Sequence, residues 1–295
     1  MELQSQVREL QSKGLGLATI SYDPVETLAA FAQQHDITYP MLSDVGSVTI
    51  KSFGIHNPAP EWAIGPDKDD PAVQAEVQKY VSVVGAREMM VGIAFPGTFI
   101  LDTQGRVKQR FFEDFYIERN TVSSLLLKLG DKTDAAVAGT RISTAYLDIT
   151  TYPSTSQIAA GDRFSMALDI EPRSKIHVYA PGAKGYRVIS LALDANPQVR
   201  AIPLQYPASE IYFYKPLNER VPVFQKPFRL VQELILEGTL QAQAALRGKE
   251  NVTVKGTLEY QACSDKECFN PVSVPLSWTM TLRPLVSQRT NQPKQ

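Results

Sequence analysis

The segment Tyr260-Gln-Ala-Cys263-Ser-Asp-Lys-Glu-Cys268-Phe-Asn-Pro271 contains both cysteines of the 295-residue chain. Runs typical of β-strands, Val252–Tyr260 and Val274–Leu282, lie on either side of it, which predicts a hairpin. Residues that flank a four-residue loop in an antiparallel pair face each other at Cα separations of about 4.5–5.5 Å, and a disulfide needs about 4.4–6.8 Å. On a helix, positions five apart are separated by a rise of about 7.5 Å and point to different sides. The strand context is therefore what lets the two thiols bond.

Three interpretations of this cysteine pair stay open: a redox-active pair, a static disulfide, and two free thiols. Closing a six-residue loop removes only about 2 kcal/mol of unfolded-state entropy, so a short exposed bridge favours exchange over support. Asp265 and Glu267 outnumber Lys266 in the loop, and negative charge disfavours a thiolate. Exchange would therefore depend on a partner protein that supplies the attacking thiolate. Two sulfurs are only half of a tetrahedral zinc shell, so neither a metal nor a cofactor is predicted.

β-strand patterns dominate the chain after residue 140. Thirteen of the twenty prolines lie in 140–295, where they separate short runs rich in β-branched and aromatic residues. Seven such runs predict a β-sandwich, and Gln241–Leu246 is the one ambiguous patch. The candidate strands are Ala145–Thr150, Arg163–Ile170, Lys175–Tyr179, Arg187–Leu193, Phe228–Glu237, Val252–Tyr260 and Val274–Leu282.

The first 130 residues alternate between helical and strand patterns, which predicts a central sheet covered by helices. The chain opens inside a helix that ends near Gly14, and Asp23-Pro24 marks the start of the next one. The other predicted elements are a strand over 15–21, a helix reaching His35, a short extended piece at 40–44, helices at 44–53, 71–84 and 118–129, a loop over 54–70, and a hairpin of Phe95–Asp102 with Arg106–Phe112.

Length and composition predict two domains, with neither a strongly basic surface nor a membrane-spanning segment. A chain of 295 residues suits two domains, here 1–130 and 140–286, with a linker over 131–139 and a disordered tail over 287–295. Thirty basic against thirty-one acidic residues give a formal charge of -1, so nucleic acid is not an expected partner. No apolar run is long enough for a membrane segment, and the first residues lack the features of a signal peptide.

Chemically active residues are sparse outside the cysteine segment. Residues 1–130 contain no cysteine, and no phosphate-binding glycine loop or Ser-His-Asp arrangement is present. His35 and His56 are interpreted as surface or capping residues. His177 lies in a predicted strand, where a half-exposed structural role is favoured.

Residues 1–130 resemble the redoxin branch of the thioredoxin fold, the alkyl hydroperoxide reductase and thiol-specific antioxidant group. The resemblance rests on Gly14-Leu-Gly-Leu-Ala-Thr-Ile-Ser-Tyr-Asp23, Ile37-Thr-Tyr-Pro-Met-Leu-Ser-Asp44 and Phe95-Pro-Gly-Thr-Phe-Ile-Leu-Asp-Thr-Gln-Gly105. It implies an α/β thioredoxin-like domain in which Pro96 is a cis-proline candidate. The family's cysteine motif starts the helix in which this chain begins. We therefore expect an N-terminally incomplete domain, with an apolar strand and a cysteine motif encoded upstream of Met1.

Residues 140–285 resemble the N-terminal alpha domain of the DsbD thiol–disulfide interchange proteins. The matching text is Tyr260-Gln-Ala-Cys263, Cys268-Phe-Asn-Pro271 with Val274-Pro-Leu-Ser277, and Ser209-Glu-Ile-Tyr212. The resemblance implies an immunoglobulin-like sandwich in which Cys263 and Cys268 are the catalytic redox pair. It also implies an aromatic loop that covers the sulfurs, for which the candidates are Tyr206, Tyr212, Phe213 and Tyr214.

Together the resemblances imply a thiol–disulfide redox protein whose partner is a thioredoxin-like or DsbD-type protein. Peroxidase or reductase chemistry in the first domain would need the upstream cysteine motif. The alternative is a non-enzymatic interaction protein with a structural disulfide and an inactive redoxin domain. The DsbD resemblance favours a periplasmic or other extracytoplasmic location, whereas the missing signal peptide favours the cytoplasm, and both stay open.

Overall fold

The computed structural model describes residues 2–84, 90–112, 118–128, 139–214 and 218–283. The chain divides into two compact units, Met1–Val122 and Ser123–Gln295. Apart from Gly139, the predicted linker over 131–139 and the predicted tail over 287–295 lie outside the described residues. Within the described residues, no helix combines the length and the apolar character that crossing a membrane requires.

The first unit is built from short helices and short strands. Its helices are α1 (Glu2–Ser12), α2 (Val25–Gln34), α3 (Val48–Ser52), α4 (Ala59–Ile64) and α5 (Pro71–Val84). Its strands are β1 (Thr19–Ser21), β2 (Met41–Ser43), β3 (Gly97–Leu101), β4 (Val107–Phe112) and β5 (Arg119–Asn120). The opening helix, the helix over 71–84 and the β3–β4 hairpin confirm the sequence predictions.

Sheet pairing in the first unit differs from the single central sheet that the sequence predicts. β1 pairs with β2 in parallel, with Thr19 opposite Met41. β3 pairs with β4 in antiparallel fashion, with Gly97 opposite Phe112. No hydrogen-bonded ladder between described strands joins one pair to the other, so β1 to β4 form two separate two-stranded sheets.

Two helices of the first unit begin where side chains satisfy their free N–H groups. The Asp44 carboxylate accepts hydrogen bonds from the backbone N–H groups of Thr49 and Ile50, at 3.0 and 2.8 Å, which lowers the pKa of Asp44. Helix α3 therefore starts four residues later than predicted. The loop predicted over 54–70 is wrong in part, because α4 forms within it. Asn57 Oδ1 accepts from the N–H of Ala59 at 3.0 Å, and the prolines lie in the first turn, where their missing donors cost nothing.

The second unit is rich in β-sheet, as the sequence predicts. All seven predicted strands form, with ends shifted by up to three residues, and the ambiguous patch is helix α7, capped by the Thr239 hydroxyl. The strands that the sequence did not predict are two to six residues long. The elements are α6 (Val122–Lys128), β6 (Thr140–Ser143), β7 (Leu147–Pro153), β8 (Gln157–Ile158), β9 (Asp162–Pro172), β10 (His177–Tyr179), β11 (Ser190–Leu193), β12 (Val199–Ala201), β13 (Glu210–Tyr214), β14 (Glu219–Phe224), β15 (Phe228–Leu236), α7 (Leu240–Leu246), β16 (Asn251–Tyr260), β17 (Ala262–Cys263) and β18 (Val272–Leu282).

Three sheets organise these strands. The first has the order β12-β15-β9-β7-β6, the second β11-β16-β18-β8, and the third β13-β14-β10-β17. The first two sheets share one apolar core, to which Phe164 and Leu230 contribute from one side and Tyr260 and Trp278 from the other. The third sheet carries Cys263, in its edge strand β17.

Helix α6 packs on the outer face of the first sheet. Leu127 is buried against Tyr152 and Ala167, which point away from the shared core. Lys128 Nζ lies 2.8 Å from a carboxylate oxygen of Glu233, a buried acid on β15. The predicted helix over 118–129 is therefore shorter at its N-terminal end, and its apolar face is covered by the β-rich unit.

A hydrogen bond across the core fixes the two large sheets to each other. Trp278 Nε1–H on β18 donates to Thr151 Oγ1 on β7 at 2.9 Å, and both residues are buried. Thr151→Val keeps the shape but leaves the indole N–H without an acceptor. We expect the free energy of unfolding of the second unit to fall by about 1–3 kcal/mol.

The measurement is urea unfolding followed by Trp278 fluorescence in a Trp62→Phe background, since these are the only two tryptophans of the chain. Thr253→Val is the matched control, because Thr253 is exposed and its hydroxyl hydrogen-bonds to the exposed Thr279 hydroxyl. Equal stability of the two valine variants would contradict the assigned role of Thr151.

Candidate functional site

The cysteines lie in a small hairpin that leaves the long β16–β18 pair. β16 and β18 pair over ten residues, which confirms the predicted antiparallel partners. The connection between them then folds back on itself: Phe269 N–H donates to the Ala262 carbonyl at 2.9 Å, and Ser264 N–H to the Glu267 carbonyl at 2.8 Å. Cys263 and Cys268 face each other across this turn with their Cα atoms 4.1 Å apart, and a disulfide joins them.

Strand β10 positions this hairpin. It lies between β14 and β17, with Val178 opposite Phe224 on one side and Ala262 on the other. His177 is directly opposite Cys263 in the same ladder. Because β17 joins the third sheet while β16 belongs to the second, the cysteine pair sits where the chain passes from one sheet to the other.

The two sulfur-bearing residues differ sharply in exposure. Cys263 is 1% exposed and packs with Val221 and Val223, whereas Cys268 is exposed. A disulfide is attacked at the sulfur that a thiolate can reach in line with the S–S bond. The arrangement therefore offers Cys268 to an external thiolate and leaves Cys263 as the leaving sulfur.

The hydroxyl of Tyr179 lies against both sulfurs. Its oxygen is 3.1 Å from Cys263 Sγ and 3.3 Å from Cys268 Sγ. Burial raises the pKa of Tyr179 strongly, and the nearby Tyr186 and Glu219 raise it further. The phenol therefore stays protonated, and its one O–H lies within reach of both sulfurs and of the Tyr186 hydroxyl, to which it also hydrogen-bonds.

A second tyrosine supports Tyr179. The rings of Tyr179 and Tyr186 are stacked, with centroids 4.1 Å apart and planes 17° from parallel. Tyr186 donates its hydroxyl proton to Glu219 Oε2 at 2.6 Å, a bond that raises the pKa of Tyr186. Gly182 and Gly185 adopt left-handed backbone angles of +96° and +79° in φ, which lets the loop after β10 turn back toward the sheet.

His177, Tyr212 and Asp265 form the other side of the site. The His177 and Tyr212 rings lie 4.5 Å apart, and the Tyr212 hydroxyl donates to Asp265 Oδ1 at 3.0 Å. His177 is 4% exposed, so the predicted half-exposed position is wrong: pairing with β14 and β17 on both sides encloses β10. Burial lowers the pKa of His177, opposed by the Asp265 carboxylate, and the imidazole is neutral at pH 7.

The four predicted cover residues have different positions. Tyr212 lies at the site, and Tyr214, two positions along the same face of β13, is half-buried. Phe213 faces the opposite side, is 42% exposed, and has the Arg220 guanidinium 5.5 Å from its ring centroid. Tyr206 packs on the apolar core, and its hydroxyl donates to the Ile189 carbonyl at 2.9 Å and not to a sulfur.

Pro96 lies in the first unit, directly before β3. The chain has no cis peptide bond among its described residues, so the bond before Pro96 is trans, unlike the expectation drawn from the redoxin resemblance. The trans form is the ordinary preference of an X-Pro bond, by about 0.5–1 kcal/mol, unless its surroundings select cis. In the same unit His56 Nε2 lies 2.8 Å from Glu61 Oε1, which also accepts from the Gly92 N–H at 3.2 Å.

Sequence reasoning missed Tyr179, Tyr186 and Glu219 as site residues. Tyr179 precedes Cys263 by 84 positions and Cys268 by 89, and no local spacing connects them. A tyrosine in a three-residue strand is indistinguishable from a core residue in the sequence. The described part of the chain has no cluster of three or more His, Cys, Asp or Glu side chains suited to a metal ion.

The difference in exposure predicts unequal thiol reactivity after reduction. We expect iodoacetamide to alkylate Cys268 about tenfold or more faster than Cys263, because only Cys268 is accessible. Trypsin cleaves after Lys266, so the two cysteines fall in separate peptides whose labelling mass spectrometry can follow independently. The same reaction in 8 M urea is the control and should label both alike. Equal rates in the native protein would contradict the assigned asymmetry.

The lowered pKa of His177 predicts a pH-dependent stability. The unfolded chain, with a histidine pKa of about 6.5, takes up the proton before the folded chain does. The contribution of His177 to the free energy of unfolding is fully present above about pH 6.5. It is lost as the pH falls through the lower pKa of the folded state, and the free energy of unfolding then changes by at most about 1.4 kcal/mol per pH unit. His177→Gln should remove this slope, whereas His35→Gln should keep it. Urea unfolding at pH 7.5, 6.5 and 5.5 tests this, and a wild-type slope in His177→Gln would refute the assignment.

Comparison with known proteins adds information on the first unit. No curated protein matches the chain. A solved structure with some likeness is the N-terminal periplasmic domain of ScsB from Proteus mirabilis, at 10% sequence identity and a TM-score of 0.34, covering 51% of this chain and 51% of that one. A likeness of this size does not identify the fold of the second unit. Residues 1–110 match the model of the AhpC/TSA family, and the first part of the chain is therefore an AhpC/TSA redoxin domain of the thioredoxin-like class.

Proposed function

We propose that this protein exchanges electrons with a partner by thiol–disulfide exchange at Cys263 and Cys268. The observation that carries the proposal is the unequal exposure of the two residues, with Cys263 1% exposed and Cys268 at the surface. A purely structural disulfide has no need of one reachable sulfur. An exchange site does, because a partner's thiolate must approach in line with the S–S bond.

The reaction begins when a partner thiolate attacks Cys268 Sγ. The bond between the partner sulfur and Cys268 forms, the bond between Cys268 and Cys263 breaks, and Cys263 leaves as a thiolate. A second thiol of the partner, once deprotonated, then attacks the partner sulfur of the mixed disulfide and releases Cys268. The partner has become a disulfide, the pair a dithiol, and two electrons have moved. The reverse sequence oxidises the pair, and the reduction potentials of the two proteins set the direction.

Local charge supports a partner that brings its own activated thiolate. Asp265 and Glu267 flank Lys266 in the exposed turn between the cysteines. His177, which faces Cys263, is neutral because burial lowers its pKa, so it does not supply a cation that would activate a thiol. A thioredoxin-like or DsbD-type partner has a cysteine of low pKa and fits this requirement.

The domain boundaries and the finer fold of the second unit belong to the same proposal. We take 140–286 as a DsbD alpha-like domain with an immunoglobulin-like arrangement, joined through 131–139 to a redoxin domain over 1–130. Two large sheets around one core, with a buried Trp278, support this arrangement. The AhpC/TSA family indicates thiol redox chemistry, and in this sequence the only thiols are Cys263 and Cys268. An extracytoplasmic location suits such a pair.

The reduction potential of the pair separates this function from a static bridge in an interaction protein. We expect the reduction potential of the Cys263/Cys268 pair in the full chain to lie above about −300 mV. The chain is equilibrated in glutathione or dithiothreitol buffers, and the reduced fraction is measured from the mass shift after maleimide labelling. The double variant Cys263→Ser/Cys268→Ser is the blank. A potential well below that value would favour the structural disulfide.

Single serine variants make the test site-specific. Cys263→Ser leaves the exposed Cys268, which should form a mixed disulfide with oxidised glutathione or with a thioredoxin. Cys268→Ser leaves the buried Cys263, which should be captured far more slowly. The opposite order would contradict attack at Cys268.

A further inference from the structure

Cleavage of the disulfide places a negative charge on the buried Cys263. When a thiolate attacks Cys268, the electron pair of the S–S bond goes to Cys263 Sγ, which becomes an anion. This residue is 1% exposed and packs against Val221 and Val223. An anion in an apolar site without a hydrogen-bond donor is strongly disfavoured. The protein must therefore supply the donor that water supplies at an exposed thiolate.

Tyr179 is in position to supply it. Its hydroxyl oxygen lies 3.1 Å from Cys263 Sγ and 3.3 Å from Cys268 Sγ, so its one proton, for which the Tyr186 hydroxyl is a competing acceptor, can turn toward either sulfur by rotation about the C–O bond. A disulfide sulfur is a weak acceptor, whereas a thiolate forms a charge-assisted hydrogen bond about twice as strong as a neutral one. The bond therefore strengthens as the S–S bond breaks, which is the property that lowers a barrier.

The surroundings hold the phenol in this orientation. Tyr179 is the last residue of β10, paired with Val223 of β14, and its ring is stacked on Tyr186. Tyr186 is itself fixed by its 2.6 Å hydrogen bond to Glu219. A donor that is already in place pays little reorganisation cost when the charge appears. Tyr186 and Glu219 act through Tyr179 and are positioning residues.

We propose that Tyr179 is a catalytic residue of the exchange reaction, donating a hydrogen bond from its hydroxyl to the departing Cys263 thiolate. The inference rests on the proposed function, and it adds the residue that assists the reaction and the identity of the sulfur that leaves. Cys263 is the sulfur that leaves because an external thiolate reaches the exposed Cys268, and the hydroxyl 3.1 Å from Cys263 Sγ stabilises the departing anion. No further reactant is needed, since the proton of Tyr179 is shared and not transferred.

The test compares Tyr179→Phe with Tyr206→Phe in the full-length chain. Tyr206 is the matched control because its hydroxyl is also bonded within the protein, but to the Ile189 backbone carbonyl and not to a sulfur. The probe is dithiothreitol at fixed pH, with the appearance of free thiols measured by stopped flow. Loss of a hydrogen bond to a charged group should slow reduction of Tyr179→Phe about ten- to hundredfold, and Tyr206→Phe should react as wild type.

A second readout reports on Cys263 alone. In a Cys268→Ser background, the pKa of the Cys263 thiol should rise by about one unit or more when Tyr179 is changed to Phe, because the thiolate loses its donor. Tyr179→3,5-difluorotyrosine keeps the ring and its stacking while strengthening the donor, and it should lower that pKa. This variant keeps the test decisive if Tyr179→Phe fails to fold.

Two failures can be told apart. An unchanged rate in Tyr179→Phe, or an unchanged Cys263 pKa in both Tyr179 variants, would overturn the role of Tyr179 while wild-type exchange stands. A wild-type pair with a potential well below about −300 mV would overturn the proposed function itself, and this inference with it.

Discussion

The pairing of β10 with β17 is the constraint on which the site depends. Both strands are very short, yet β10 is enclosed between β14 and β17, and all three of its residues are buried. This pairing places His177 opposite Cys263 and brings Tyr179 within 3.3 Å of both sulfurs. Without it, the cysteines would belong only to the connection between β16 and β18, and neither sulfur would be preferentially buried. The chemical difference between the two sulfurs is thus a consequence of backbone pairing.

Hydrogen bonding, and not positive charge, is the means by which this site accommodates a thiolate. The groups nearest to Cys263 are a neutral imidazole and a protonated phenol, while the exposed turn carries Asp265 and Glu267. A lysine or a helix N-terminus would lower a thiol pKa and make the pair attack spontaneously. A phenol gives a weaker effect, and one that is largest when the charge is already forming. In the proposed exchange, such a pair is attacked by the thiolate of its reaction partner and is a poor nucleophile by itself.

The sequence predicted those parts of the molecule that depend on local spacing. The facing of Cys263 and Cys268 follows from their separation by four residues between strands, and the seven long strand patterns each correspond to a strand. The prediction was wrong where non-local pairing decides the outcome. His177 is buried because two other strands cover β10. The prediction also missed α4, for a local reason: Asn57 Oδ1 accepts from the N–H of Ala59 in a segment whose prolines predicted a loop. Tyr179 had no signal in the sequence, since its contacts with the sulfurs span more than 80 residues.

The stability of the hairpin without its disulfide bears on whether the pair can cycle. Closing so short a loop contributes only about 2 kcal/mol, whereas β16 and β18 pair through ten residues and Tyr260, Trp278 and Met280 are buried in the shared core. The backbone bonds from Phe269 to Ala262 and from Ser264 to Glu267, and the ladder between β17 and β10, do not involve the sulfurs. These interactions keep Cys263 and Cys268 facing each other after reduction. The dithiol can therefore close again without a conformational search.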